Sequence, residues 1–165
     1  MSEALSNLIS ALREELKHYG EMLALLDHQQ ESAMSRLTDE LLRSVTLIQA
    51  QADAIQAARR HRESSQRLVA RELCLAEASS FAELIPLLPM DYRPLLQSLV
   101  EENNGLLQRV QQRARQNHLL LNRSVELMQR FLNTLFPSRD TQVYTDRGTR
   151  LAPSLPARPL YEAVG

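Results

Sequence analysis

A chain of 165 residues and 18.8 kDa is long enough for one domain with a sizeable core, with or without an appendage. Aromatics make up 4% of it, Gly numbers 4 and Trp is absent, while Leu, Ala, Gln, Glu and Arg dominate; this excludes a mostly-β fold in favour of long helices. The formal net charge of −1 supplies no global field for nucleic acid or an anionic membrane.

The first predicted element is a long helix in which Leu5, Ile9, Leu12, Leu16, Tyr19, Leu23 and Leu26 recur at alternating spacings of four and three, the seam of coiled-coil-like packing. The repeat fades through Gln30 and Ala33. "SRLTDELL" then restarts a helix, with Thr38 as the expected N-cap and Asp39 and Glu40 in the positive first turn. Leu41, Val45, Ile48, Ala52 and Ile55 form its expected seam, and the helix should end near Glu77. The single cysteine, Cys74, falls within it and is expected as a small apolar residue on a helix face, with no partner for an internal disulfide.

"SSFAELIPLLP" predicts a short helical segment capped by Ser79 or Ser80 and stopped by Pro86 and Pro89, which lack the N–H and crowd the preceding turn. In "MDYRPLLQSL", Asp91 should cap a last helix whose first turn tolerates Pro94. From there Leu96, Leu99, Asn103, Leu106, Val110, Ala114, Asn117, Leu121, Val125, Met128, Leu132 and Leu135 keep the three/four spacing over about 45 residues. Asn103 and Asn117 are polar seam positions, expected to fix register. After Phe136 periodicity is gone and prolines cluster, so residues 137–165 are expected to form a Pro-rich flexible tail beside a helical domain of residues 1–136. The expected fold is all-α: an elongated antiparallel bundle of three long helices, with the short segment between the second and third.

Catalytic reagents are hard to find in this sequence. Glu15 and His18 in "EELKH" have the Glu-x-x-His spacing of di-iron bundles, but no second such pair exists, so neither a metal nor another cofactor is expected. His118 reads as a solvated histidine. Arg59, Arg60, Arg62, Arg67 and Arg71 read as a solvated face of the second helix, with no interleaved aromatics to stack on bases. No basic leader precedes an apolar block, and no run approaches about 18 uninterrupted apolar residues. A soluble cytoplasmic chain without membrane insertion is expected.

The end of the last helix is different. Around "NHLLLNRSVELMQRFLNTLF", Leu121, Val125, Met128, Leu132, Leu135 and Phe136 share one side and Leu120, Leu127 and Phe131 adjoin them, an apolar arc of about 180° against the ~100° of an ordinary surface helix. A helix facing two neighbours can use such an arc for core alone. The last helix is also the longest, and an overhang of roughly 10 Å would leave the same residues uncovered for an amphipathic helix of another protein. Both readings stand on the sequence, as does a structural coiled-coil adaptor in which the strip pairs with its own copy as a homodimer.

The layout of two helices meeting at a "TDEL" step, a proline-marked break and a last helix reading "LVEENNGLLQRVQQRARQNHLLLNRSVELMQRFLNTL" resembles the FlgN family of flagellar type III export chaperones. "VYTDRGTR", with Tyr144 and Gly148, is similar to a Tyr-x-x-x-Gly segment often found after that helix. The resemblance covers essentially the whole chain; only the terminal "LAPSLPARPLYEAVG" has no counterpart in the family's pattern. It implies a cytoplasmic, non-enzymatic chaperone that binds the C-terminal helical region of hook-associated (hook–filament junction) proteins, prevents premature assembly and delivers them to the flagellar export gate. It also nominates the apolar positions from Leu120 to Phe136, among them Leu121 and Met128, for substrate, and Tyr144 for substrate or export gate.

Overall fold

The computed structural model describes residues 3–135, which are helical and contain no strand. Three long helices, α1 (Glu3–Met34), α2 (Thr38–Glu72) and α4 (Arg93–Leu135), are joined by a tight turn and by a connection holding the one-turn helix α3 (Phe81–Leu84). The expected all-α bundle is what forms. The chain divides into two compact units, Met1–Leu127 and Met128–Gly165. The expected tail, residues 137–165, lies outside the described residues, as does Phe136.

Helix direction follows from side-chain pairs. His18 meets Gln51, Glu15 meets Arg62 and His28 meets Glu40, so α2 runs antiparallel to α1. Asn103 donates to the Leu12 carbonyl at 3.1 Å and Asn117 to the Leu26 carbonyl at 2.7 Å, both at a sequence offset of 91. The constant offset makes α4 parallel to α1. Each asparagine Nδ2 makes a second bond, to the Leu99 carbonyl at 2.9 Å and to Gln29 Oε1 at 3.1 Å, respectively. A slide of one helix along the other would break all the interhelical bonds while leaving the amides buried. The two residues therefore fix register, as expected.

α1 buries Ala4, Leu8, Ala11 and Met22 in addition to the expected Leu5, Ile9, Leu12, Tyr19 and Leu26. Leu16 and Leu23 are half-buried. A helix with α2 on one flank and α4 on the other needs a wider buried arc than a single seam supplies. The buried core cluster joins Leu5, Leu8 and Leu12 of α1 to Val69 and Ala70 of α2, Leu84 and Leu88 of the connection, and Leu96 and Leu99 of α4.

Several sequence expectations fail at helix ends, for local reasons. Arg36 adopts φ 58°, and the Leu37 N–H reaches back to the Ser32 carbonyl at 3.0 Å, which closes α1 in a Schellman turn. The Leu37 carbonyl in turn accepts from Leu41 N–H at 2.9 Å. One helix thus passes directly into the next, Leu37 takes the cap position, and Thr38 is the first helical residue instead of the cap. α2 stops at Glu72, not near Glu77, because Cys74 at φ 55° closes a second turn of this kind, with Leu75 N–H bonded to the Ala70 carbonyl at 2.8 Å. Cys74 is an exposed turn residue, not part of a helix face. The seam of α2 holds at Leu41, Ile48, Ala52 and Ile55, which are half-buried, and fails at Val45, which is exposed while the neighbouring Ser44 is buried, as are Ala58 and Ser65.

Ser80 caps α3 as expected, with Glu83 Oε2 accepting from its N–H at 2.7 Å and its hydroxyl at 3.1 Å. Pro86 sits in a 3₁₀ turn, Ile85–Leu87, that ends the segment. Asp91 caps nothing: it lies inside a second 3₁₀ turn, Met90–Tyr92, whose Tyr92 N–H is bonded to the Pro89 carbonyl, and α4 starts at Arg93 with Pro94 in its first turn.

Candidate partner-binding strip

Within the first unit α4 carries one stripe. Asn103, Val110, Asn117 and Ser124 are seven residues apart along its centre, with Leu106, Arg113, Leu120 and Leu127 on one side and Leu107, Ala114 and Leu121 on the other. As far as Asn117, α1 packs on it. At the same offset of 91, the last residue of α1, Met34, falls level with Val125, near the end of the first unit.

Exposure follows this geometry. Leu120 and Leu121, nominated as partner-binding residues, are half-buried. In the first unit Val125 is 56% and Leu127 57% exposed; in the second, Met128 is 61%, Phe131 58% and Leu132 47% exposed. Leu135 is helical. Phe136 and Tyr144 lie outside the described residues, as does Gly148. Leu119, on the back of the helix, is 68% exposed.

The strip offers burial rather than hydrogen bonds. The Ser124 hydroxyl, in the middle of it, donates to the Leu120 carbonyl at 2.9 Å, and Thr134 does the same to Arg130. These hydroxyls are already satisfied within α4, so a ligand would meet mainly apolar side chains.

The polar candidates elsewhere are occupied. Glu15, 4% exposed, accepts from the Tyr19 hydroxyl at 2.9 Å and from Arg62 Nε at 3.0 Å. His18 goes to different partners, Gln51 at 3.1 Å and Glu21 at 3.3 Å. Burial and the adjacent Glu15 carboxylate push the Tyr19 hydroxyl up to about 12. Arg62 is not on a solvated face: it pairs with Glu15, donates to Gln66 Oε1 at 2.9 Å and lies 5.9 Å from the centroid of the Phe81 ring. Gln66 donates to the Ser79 carbonyl at 2.8 Å, which completes a polar chain across α1, α2 and the connection. His118 is exposed, 3.0 Å from Asn122. Among the described residues no group of three or more His, Cys, Asp or Glu could hold a metal ion, and no helix is long and apolar enough to cross a membrane.

Comparison with known families agrees with the resemblance seen in the sequence. The family model described as FlgN protein matches residues 1–152. The chain belongs to the FlgN family, a family of flagellar export chaperones and not of enzymes. No curated protein and no solved structure matches it.

Proposed function

We propose that this chain is a cytoplasmic, non-enzymatic chaperone that binds the C-terminal helical region of hook–filament junction proteins and delivers it to the flagellar export gate. The binding residues are Leu120, Leu121, Leu127, Met128, Phe131, Leu132, Leu135 and Phe136, with Tyr144 as a contact for cargo or gate. One observation carries the reading: near the end of α4 large apolar side chains lie open, Val125 at 56% and Leu127 at 57% exposure in the first unit, and Met128 at 61% and Phe131 at 58% in the second. Exposed apolar surface of this kind on a helix is a partner site.

The mechanism is mass action. A terminal helix that would self-associate into an assembly is held on the strip and withheld from that equilibrium. Ordering the bound segment offsets part of the contact energy, so affinity belongs in the micromolar to nanomolar range, which also permits release. Co-expression of the full chain with the C-terminal helical region of a junction protein is expected to yield a soluble complex by size exclusion with multi-angle scattering. A chain that stays alone, or that forms a tight symmetric dimer indifferent to the cargo, would favour the coiled-coil adaptor instead.

A further inference from the structure

Within the first unit, α2 and α4 pack on different flanks of α1. Glu15, His18 and His28 of α1 meet α2, whereas Asp27 and Gln30 meet Arg113 of α4. The edge of α4 that carries Leu107, Ala114 and Leu121, across the stripe from Arg113, therefore turns towards α2. On α2 the answering edge is marked by Ala70, fully buried in the core shared with the connection and α4. Ala52 comes back into line with Ala70 after about five turns, with Val45 and Ile48 close to the same line.

Beside the start of α1, this seam between α2 and α4 is filled by the chain itself. Phe81, Leu84 and Leu88 of the connection, at helix-like spacings of three and four, pack with Val69 and Ala70 of α2 and with Leu96 and Leu99 of α4. The Gln66 bond to the Ser79 carbonyl and the Arg93 Nε bond to the Leu88 carbonyl fasten the segment to both helices. Farther along α1, no hydrogen bond or ion pair among the described residues joins α2 to α4. Leu23 is level with Ala114 by the offset of 91 and lies midway between the histidines that meet Gln51 and Glu40, which brings Val45 opposite Ala114. Val45 is 50% exposed and Ala114 is exposed, while Ile48, Ala52, Leu107 and Leu121 are half-buried. Two apolar edges face one another, and neither is closed.

Resting on the docking reading above, we infer that the partner's helix is held in this open seam, so that the N-terminal half of α2 is the second wall of the site. The seam is continuous at one end with the interface that seats Phe81, Leu84 and Leu88, and at the other with Val125, exposed on the same side of α4 as Leu121. Its occupant is an amphipathic helix that extends the row begun by the connection, with large apolar side chains at the same spacing of three and four, and it completes a four-helix arrangement.

The test measures binding of the C-terminal helical region of a junction protein to the full chain by fluorescence anisotropy, in Val45→Asp and in Ala114→Asp, one on each wall. Thr46→Asp is the control, since Thr46 is exposed and stands about 100° round α2 from Val45. Each wall variant should bind about tenfold more weakly or worse, because the docked helix would desolvate the new carboxylate. Thr46→Asp should bind as the parent chain does. Should Val45→Asp lose helicity by circular dichroism, Val45→Gln replaces it under the same criterion. Parent-like binding by either wall variant overturns the inference. If Leu127→Ser still weakens binding in that case, the strip on α4 stands and only the second wall falls. If Leu127→Ser also binds as the parent does, the docking reading falls with it.

Discussion

Replacing Leu127 and Phe131 together with serine is expected to weaken cargo binding by about 100-fold or more while leaving helicity and stability nearly unchanged. Full burial of a leucine or phenylalanine side chain contributes roughly 1.5–3 kcal/mol, and these two are already part-covered in the free protein, so together they should supply about 3 kcal/mol on docking, about a hundredfold in Kd. Folding has little to lose, because both side chains are more than half exposed and surface substitutions of this kind stay within about 0.5 kcal/mol each. Calorimetric titration with a junction-protein helix, with far-UV circular dichroism as control, makes the measurement. Unchanged affinity with retained helicity would remove the strip from the binding site.

Arg62→Ala should produce the largest loss of stability available from one exposed-looking arginine, about 3–5 kcal/mol. Its side chain is 16% exposed and that of its partner Glu15 5%, so truncation strands a carboxylate in the interior and also removes the contacts to Gln66 and Phe81. Replacing both partners with apolar residues, as in Glu15→Leu/Arg62→Met, should cost far less, because no unpaired charge remains. Urea unfolding distinguishes the two; a loss under about 1 kcal/mol for Arg62→Ala would mean that solvent reaches Glu15. The same cluster has an alkaline signature. The Tyr19 hydroxyl is raised to about 12 in the fold against about 10 in the unfolded chain, so its contribution is present in full below pH 10 and is lost as pH rises towards 12. Tyr19→Phe should remove that part of the alkaline decline.

Periodicity made α1 and α4 legible, because long apolar repeats survive whatever the neighbours do, and the two seam asparagines announced a register device that the Leu12 and Leu26 carbonyls complete. What periodicity could not convey was tertiary. Arg62 looked solvated because its partner is 47 residues away, and neither a charge on one helix nor a buried glutamate on another signals pairing by itself. Val45 was placed in the seam of α2 because it is large and apolar, whereas close packing against α1 selected Ser44, Ala58 and Ser65. Cys74 occupies a left-handed position that favours glycine, so the end of α2, read from residue type, was placed too late. For the strip, the sequence supplied the apolar arc but not its division between core and surface. That depends on where α1 stops, and it leaves Leu120 and Leu121 half-buried while Val125 and Leu127 are exposed.

Amide hydrogen exchange on the full chain, with and without a junction-protein C-terminal helix, reads the site without altering a residue. Slowed exchange concentrated in residues 120–135 on addition of the helix is the expected result. Protection confined to α1 and α2, with residues 120–135 exchanging as in the free chain, would place the cargo elsewhere and leave the exposed end of α4 without its proposed role.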